Sequence, residues 1–463
     1  GAYNLPGAVR LNGDLQVRAL EQAFASLVER HETLRTVFQS VPGEEDVQQV
    51  PLQRPLQVEH LDLSALAPQE RERHVREHAE QQSLQPFDLE HGPLLRVRLL
   101  KLGAREHVLL LTLHHIVSDG WSMNVLIDEF IRCYDAFDVG QQPQLAALPI
   151  QYSDYALWQR RWLEAGEQAR QLAYWQAQLG DEHPVLELPT DHARPAMPSY
   201  RGTRFEFGVD PQLAEQLRTT AQRHNVTLFM LLLGAFNVLL HRYSGQTDIR
   251  IGVPIANRNR GEIEGLIGFF VNTQVLRAEF DLQMTFNQLL QQVKQRALGA
   301  QAHQDLPFEQ LVEALQTERN LSHSPLFQVM YNHQTQAKGE RRSLPGLEME
   351  ELAWDSHTAK FDLTLDTFEH EQGISAALTY ATDLFEAKTV EHMANHWLNL
   401  LQGIVREPEQ RITDLPLLAE HEQARIVQDW NRNPTKFPSE HTLHQLIEAQ
   451  VEPGGHEHGR KQP

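Results

Sequence analysis

The spacing of apolar residues divides the first half of the chain into alternating strands and helices. A two-residue period, or a short continuous apolar run, predicts strands at residues 8–11, 34–38, 94–102 and 108–113. Apolar residues three and four positions apart predict helices at residues 17–28, 69–82, 122–137 and within 158–179. The run 108–113 is almost continuously apolar, which is typical of a central strand that is buried on both faces.

The second half shows the same alternation, after a stretch at 184–198 that contains four prolines and is expected to be a linker. Strands are predicted at residues 203–209, 249–253, 271–276, 327–331, 361–365 and 374–380. Helices are predicted from residue 211 onward and at residues 228–240, 286–298 and 389–405. The similar order of elements indicates two related α/β halves with a cleft between them.

Length, charge and cysteine content restrict the class of protein. A chain of 463 residues is too long for one ordinary core and predicts two domains of roughly 150–250 residues each. The net charge of -21 argues against a nucleic-acid partner. The longest strongly apolar run, 228–236, is too short to span a bilayer, so no membrane partner is expected. The single cysteine, Cys133, cannot form an internal disulfide, which favours a cytoplasmic location.

The candidate chemistry lies where the predicted central strand ends, in the run from His114 to Gly120, His-His-Ile-Val-Ser-Asp-Gly. Adjacent strand residues point to opposite faces, so only one of the two histidines can face a cleft. Ser122 is expected to cap the helix that follows. A histidine beside the N–H groups of a helix start suits acyl transfer, because it can accept a proton while those groups stabilise an oxyanion. Histidines at strand ends are often structural, so both interpretations stay open on this run alone.

Other kinds of site fit the sequence less well. Two histidines and Asp119 have the composition of a metal site, but strand alternation separates the histidines and no other compact ligand cluster is present in the sequence. We therefore predict no metal. The sequence also has no Gly-x-Ser-x-Gly elbow and no glycine loop of the kind that binds phosphate.

Six segments, in order along the chain, resemble motifs of the condensation domains of nonribosomal peptide synthetases. The histidine run resembles the third motif of that family, in which two histidines and three variable residues precede Asp-Gly. The second and the fourth to seventh motifs are resembled by residues 30–38, 152–158, 267–274 with Arg277, 303–309 and 319–326. The first motif is missing, and we expect the chain to begin just after it as an excised piece.

The resemblance implies an α/β fold of two chloramphenicol-acetyltransferase-like lobes arranged in a V, with a tunnel between them. We expect the N-terminal lobe at residues 1–165, an interlobe linker at 166–199 and the C-terminal lobe at 200–425. Residues 426–463 are expected to hold a linker and the start of a truncated adenylation domain, followed by an unrelated tail at 454–463.

The resemblance also implies an amide-forming acyltransferase. A donor aminoacyl or peptidyl thioester and an acceptor aminoacyl thioester would enter on phosphopantetheine arms of an upstream and a downstream carrier domain. The domain itself would bind no cofactor, would adjoin an adenylation domain and would be monomeric when excised. The wording of the second and third motifs resembles the type that takes an L-configured donor. An epimerisation domain of the same superfamily and a catalytically silent carrier-docking module are the alternatives.

The resemblance assigns His115 as the catalytic histidine, acting either as a general base or as the group that positions the amine. An α-amine has a pKa of about 8, so part of it is neutral without a strong base. The N–H of Gly120 is expected to face the reacting carbonyl. Ser122, Asn272 and Thr273 are expected to line the tunnel, although the last two would equally serve to satisfy backbone groups.

Four residues are expected to support the structure of the active site. His114 would pack away from the tunnel. Asp119 would form a buried ion pair with Arg35, as the matching residues do in the family. Trp121 is expected to be an anchor in the core.

Overall fold

The structure is a computed structural model that describes residues 3–44, 47–52, 54–315, 320–335, 343–344, 346–352, 357–432 and 440–451. Arg319 of the seventh motif and the tail at 454–463 lie outside the described residues. Contacts divide the chain into a large unit, residues 1–415, and a small one, residues 416–463. The small unit contains two described helices, α12 (Glu420–Ala424) and α13 (Leu443–Val451).

The first half of the large unit is built around a five-stranded sheet with the order β11-β1-β6-β5-β4. The strands of this half are β1 (Asn4–Gly13), β2 (Thr36–Ser40), β3 (Val47–Pro51), β4 (Val58–Asp62), β5 (Leu95–Gly103) and β6 (Glu106–His114). Its helices are α1 (Val17–Arg30), α2 (Pro68–Leu84), α3 (Gly120–Asp138), α4 (Tyr152–Trp162) and α5 (Gln168–Leu179). β2 and β3 form a separate two-stranded sheet.

Strand β6 lies at the centre of the first sheet, between β1 and β5, and all its residues from 107 to 113 are buried. Leu109, Leu111 and Leu113 belong to the apolar core that includes residues of α1 and α3. Val108 and Leu110 belong to a second core that includes residues of α2. The predicted central strand, buried on both faces, is therefore confirmed.

The second half is built around a six-stranded sheet with the order β7-β13-β12-β10-β8-β9. The strands of this half are β7 (Gly202–Val209), β8 (Asp248–Ile255), β9 (Asn272–Glu279), β10 (Val329–Thr335), β11 (Leu347–Glu351), β12 (Leu363–His370) and β13 (Gly373–Ala381). Its helices are α6 (Pro211–Arg223), α7 (Leu228–Ser244), α8 (Gly261–Glu264), α9 (Phe286–Gln301), α10 (Phe308–Ala314) and α11 (Ala387–Arg406).

One strand of the second half completes the first sheet. β11 pairs antiparallel with β1, from Val9 opposite Glu351 to Gly13 opposite Leu347. The first sheet therefore contains a strand from outside residues 1–165. The lobe boundaries set out above stay a prediction.

The helices and strands that the sequence predicts are confirmed, with shifts of a few residues at most ends. The predicted helical region 158–179 is two helices, α4 and α5, joined by a π-helical turn at Leu163–Glu167 in which Gly166 has a φ of 123°. Strands β3, β4 and β11 were not predicted, because their sequences are polar. β4 and β11 are the edge strands of the first sheet, where polar side chains can face water.

Among the described residues, no single helix is both long and apolar enough to cross a bilayer. In the same part of the chain, one pair of helices, α6 and α7, meets the criterion when taken together, and the two helices are bent by 104° relative to one another.

Candidate active site

The histidine run joins strand β6 to helix α3 through a short turn. β6 ends at His114, a 3-10 turn covers His115–Val117, and α3 begins at Gly120. The N-cap of α3 is Asp119, whose Oδ1 accepts a hydrogen bond of 2.8 Å from the backbone N–H of Ser122. The prediction that Ser122 caps this helix is wrong. The helix begins two residues before Ser122, and the Asp119 carboxylate is the group that accepts from a free N–H at the helix start.

The two histidines have different surroundings. The Nδ1 atom of His114 accepts a hydrogen bond of 3.0 Å from the N–H of Ile116, and its ring lies 5.8 Å from that of Phe87 and 6.3 Å from that of Tyr3. The His115 ring instead meets Phe269, from the second half of the chain, edge to face at 5.6 Å. His114 thus packs among residues of the first half, whereas His115 faces the second.

The hydrogen bonding of His115 fixes its tautomer. Its Nδ1 lies 3.0 Å from the backbone oxygen of Ser118, and because a carbonyl oxygen can only accept, Nδ1 must carry the hydrogen. In the neutral ring Nε2 then has a free lone pair. Burial, together with the charge of Lys360, lowers the pKa of His115 to about 4, against weaker opposing effects of the Ser118 hydrogen bond and of Asp119. At pH 7 His115 is therefore a neutral acceptor at Nε2.

Asp119 is fully buried and all its hydrogen-bonding capacity is directed to the second half of the chain or to its own helix. Its Oδ2 accepts from the N–H groups of Phe270, at 3.0 Å, and Val271, at 3.3 Å. Its Oδ1 forms an ion pair of 3.2 Å with Nη2 of Arg258. Both members of this pair have side chains with no exposed surface.

The predicted ion pair between Asp119 and Arg35 is wrong. Arg35 donates to the backbone oxygens of Val28, at 3.1 Å, and Glu29, at 3.2 Å. These carbonyls belong to the last turn of α1, where no N–H of the helix reaches them, so a nearby cation is favoured there. Arg258 takes the place that the sequence analysis gave to Arg35.

Arg258 fastens a loop that we call the bridging loop, residues 257–271. Its Nη1 donates to the carbonyl oxygens of Ile263, at 2.9 Å, and Leu266, at 2.5 Å, within that loop. Its guanidinium lies 4.2 Å above the ring of Phe270. Burial lowers the pKa of Arg258, while the Asp119 carboxylate acts in the opposite direction and compensates the buried charge.

Ser122 makes a second attachment between α3 and the bridging loop. Its hydroxyl donates to the oxygen of Gly268 at 2.8 Å, and accepts from the N–H of Gly268 at 3.0 Å and from Arg258 at 2.6 Å. Since every hydrogen-bonding position of the hydroxyl is occupied, Ser122 supports the loop. Its predicted place in a tunnel lining is untested.

Residues of the second and fourth motifs also contact the bridging loop. The Thr33 hydroxyl donates to the oxygen of Ile267 at 2.8 Å, and the Tyr152 hydroxyl donates to the oxygen of Phe269 at 2.7 Å. A Cβ atom on Gly268 would lie 2.2 Å from the Tyr152 ring, so only glycine permits this approach. Burial raises the pKa of Tyr152, which keeps its hydroxyl protonated as a donor.

Asn272 joins the bridging loop to the sixth motif. Its side chain donates to the backbone oxygens of Gln304, at 3.0 Å, and Leu306, at 2.8 Å, and accepts from the N–H of Phe308 at 3.0 Å. These bonds match the alternative in which Asn272 satisfies backbone groups. Thr273 follows it on β9 and is half-buried.

The first two residues of α3 are exposed. A Cβ atom on Gly120 would meet no atom within 4 Å, so the space beside this residue is open. As the first helical residue, Gly120 has an N–H that no carbonyl of its helix can accept. Trp121 is 41% exposed and donates from Nε1 to the oxygen of Glu264 at 2.8 Å. The prediction of Trp121 as a core anchor is wrong, because this turn of α3 faces the bridging loop.

Three residues that contact the histidine run or act on it were not predicted from the sequence. Arg258 stands in the sequence Asn-Arg-Asn-Arg, where two arginines were visible but nothing indicated which one would be buried. Phe269 lies inside the fifth motif but had no assigned contact. Lys360 lies in a stretch that the sequence analysis did not examine.

Within the described part of the chain, no group of three or more His, Cys, Asp or Glu residues could hold a metal ion.

Comparisons with known proteins agree with this geometry. The sequence profile of the family described as "Condensation domain" matches residues 1–427. The chain is 46% identical over 440 residues to one component of the linear gramicidin synthase of Brevibacillus parabrevis, covering 95% of this chain and 6% of that protein. It is 41% identical over 456 residues to tyrocidine synthase 3 of the same organism, covering 97% of this chain and 7% of that protein. The chain thus spans a small part of these relatives.

Solved structures share the fold. The X-domain of teicoplanin biosynthesis, in its complex with OxyB, has a TM-score of 0.83 and 29% identity over 91% of this chain and 92% of that one. A four-domain nonribosomal peptide synthetase bound to AMP and glycine has a TM-score of 0.81 and 23% identity, covering 98% of this chain and 35% of that one. The condensation domain of the monacolin K polyketide synthase has a TM-score of 0.76 and 23% identity over 89% and 94%.

These similarities confirm both the resemblance found in the sequence and the α/β, chloramphenicol-acetyltransferase-like fold. The family match covers most of the chain and includes every motif described above. The chain belongs to the condensation-domain family of nonribosomal peptide synthetases.

Proposed function

We propose that this domain joins a donor aminoacyl or peptidyl thioester to the amine of an acceptor aminoacyl thioester, with both substrates carried on phosphopantetheine arms. The observation that carries the proposal is the state of His115. It is neutral, its tautomer is fixed by Ser118, and it lies beside the exposed start of helix α3.

His115 acts on the acceptor amine by accepting a hydrogen bond at Nε2. A base with a pKa of about 4 is too weak to deprotonate an α-ammonium group whose pKa is about 8. The amine therefore enters in its neutral form, and His115 orients its lone pair toward the thioester carbon. Of the two roles that the sequence leaves open, positioning is the one that the low pKa favours.

The reaction balances without a covalent enzyme intermediate. The amine nitrogen attacks the thioester carbon, the carbonyl electrons move to oxygen, and the carbon–sulfur bond breaks as the carbonyl re-forms. The nitrogen loses one proton, and the departing thiolate of the donor arm gains one. His115 hydrogen-bonds the nitrogen while it is cationic and can relay this proton.

The Gly120 N–H serves as a donor to the oxyanion of the tetrahedral intermediate. Support for this role comes from its position as the first residue of α3 and from the open space beside it. A helix N-terminus carries partial positive charge, so its free N–H groups favour a developing anion. Asp119 and the bridging loop hold this helix start in place.

Finer features of the family are part of the same proposal. The donor is L-configured, and the substrates reach His115 through a tunnel between the lobes at 1–165 and 200–425, which are connected by the linker at 166–199. The partners are an upstream and a downstream carrier domain, with an adenylation domain beginning within 426–463. The domain taken by itself is monomeric and acts in the cytoplasm.

A reconstituted turnover tests the proposal. Donor and acceptor carrier domains, loaded with L- or D-configured donors, are mixed with the domain, and the thioester-bound products are identified by mass spectrometry and chiral chromatography. The proposal expects a dipeptide on the acceptor carrier and a preference for the L-donor. An inverted α-carbon without a new amide would indicate epimerisation, and no product from folded protein that still binds the carriers would indicate a docking module.

A further inference from the structure

Lys360 is brought to the histidine run from the second half of the chain. It belongs to the segment 357–362, immediately before β12. Its Nζ lies 5.1 Å from the centre of the Tyr3 ring. The backbone oxygen of Tyr3 accepts the N–H of His115 at 2.8 Å, and the Tyr3 ring is 6.3 Å from that of His114. The ammonium group therefore lies near the end of β6 that carries both histidines, and its charge acts on each of them.

The backbone upstream of Lys360 is held firmly in place. Thr358 pairs with Arg201 in an isolated β-bridge, and the Ala359 N–H donates to the oxygen of Tyr200 at 2.9 Å. Gly202 allows this close approach, since a Cβ atom there would lie 2.4 Å from that of Ala359.

The backbone downstream of Lys360 is fixed as well. Asp362 forms a two-point ion pair with Arg194, at 2.9 and 2.5 Å. Its N–H also donates to the oxygen of Gln328 at 3.0 Å. Lys360 is thus presented from an anchored segment, and its charge has a defined location.

The charge of Lys360 is not neutralised by any described carboxylate. Among the residues that the structure describes, none forms an ion pair with it, and desolvation alone lowers the pKa of Lys360. Its side chain is nevertheless exposed to solvent. A cation without a described partner carboxylate beside the histidine run has no evident role in stability, which directs attention to the reaction.

We propose, on the basis of the function proposed above, that Lys360 is a positioning residue whose fixed charge keeps both His115 and the incoming acceptor amine in their neutral forms. A nearby cation disfavours a second positive charge on either group. The neutral amine has the lone pair that attacks the thioester, and the neutral imidazole has the Nε2 lone pair that receives its hydrogen bond.

The other charged groups around His115 leave Lys360 as the effective cation. Asp119 acts on His115 in the opposite direction, but its charge is engaged by Arg258. Burial is the main cause of the lowered pKa of His114, and the charge of Lys360 adds a smaller effect in the same direction. Both histidines are thereby held neutral at the same end of β6.

The rate of dipeptide formation as a function of pH tests the proposal, using Lys360→Met, the charge-retaining Lys360→Arg and, as a matched control, Lys388→Met at an exposed lysine of α11. Without the cation the pKa values of the amine and of His115 rise, so the acid limb of the profile moves to higher pH. At pH values on the acid limb, the rate of Lys360→Met should be about tenfold lower than that of the wild type for each unit by which the pKa of the amine rises. At pH 9 it should approach the rate of the wild type. For Lys360→Arg and Lys388→Met, the acid limb of the rate profile should lie at the same pH as in the wild type.

A loss for Lys360→Met that is equal at every pH would show a merely structural role and overturn the proposal, as would a Lys360→Arg profile like that of Lys360→Met. A second readout does not need turnover. The His115 signal in the NMR spectrum of histidine-labelled protein, assigned by its absence in His115→Gln, should titrate near pH 4 in the wild type and at a higher pH in Lys360→Met. An unchanged titration would contradict the role of Lys360, even if the wild type made no dipeptide and the proposed function itself failed.

Discussion

Asp119 and His115 lie four residues apart in one motif, yet their surroundings are opposite. Asp119 is fully buried, and both its oxygens bond to an arginine or to backbone N–H groups. His115 is partly accessible, leaves Nε2 open and lies near a cation that no described carboxylate pairs. One site consists of satisfied polar groups, whereas the other keeps a lone pair and an uncompensated charge.

This difference separates structure from chemistry within a single run of seven residues. A fully bonded buried ion pair resists the loss of either partner, because the remaining charge is left without compensation. An open, neutral imidazole contributes little to stability, but its lone pair is available to a substrate. Variants at the two positions should therefore fail in different ways.

The largest change in activity is expected for His115→Ala. Removing the acceptor at Nε2 should lower the rate of dipeptide formation by about 10²-fold or more, because misplacing a reacting group by about 1 Å can alone cost that much. Its melting temperature should stay close to that of the wild type, since only the Ser118 hydrogen bond and the Phe269 contact are lost. Single-turnover assays and thermal unfolding measure both effects.

The largest change in stability is expected for Asp119→Ala. It removes the N-cap of α3 and leaves the Arg258 charge buried, which should cost about 3–5 kcal/mol of unfolding free energy. Denaturant unfolding measures the loss. The double variant Asp119→Ala/Arg258→Met should lose less than the sum of the single variants, because the two charges are coupled. Strict additivity would show that the pair is not the source of the stability.

A smaller effect is expected for Arg35→Met. Its side chain only caps carbonyls at the end of α1, so the cost should be about 0.3–1 kcal/mol. A loss as large as that of Asp119→Ala would restore the ion pair that the sequence analysis assigned to Arg35. The same unfolding measurement decides whether Asp119 pairs with Arg35 or with Arg258.

An effect of similar size is expected for Trp121→Phe. It removes one hydrogen bond at an exposed position, from Nε1 to the Glu264 oxygen, and should cost about 0.5–1.5 kcal/mol. A loss of several kcal/mol would indicate that Trp121 anchors a core after all.

The sequence predicts the main elements of the fold because apolar periodicity is local. The helices and the inner strands carry it, whereas the polar edge strands β4 and β11 do not. That β11 would cross to pair with β1 is a long-range fact that no local pattern contains.

The site is predicted in part for the same reason. The turn and the following helix are visible in the run from His114 to Gly120. The partner of Asp119 is not, because the choice between Arg35 and Arg258 depends on which one the folded chain brings into contact. Lys360 is harder still to find, since a lone lysine before a strand resembles many surface lysines until its distance from Tyr3 is known.

The most direct test of this account measures rate and stability together for His115→Ala and Asp119→Ala, with the same loaded carriers and under the same buffer conditions. The account predicts that His115→Ala melts like the wild type and loses dipeptide formation by at least about 10²-fold, while Asp119→Ala melts at a clearly lower temperature. A His115→Ala variant that forms dipeptide at the wild-type rate would contradict the account.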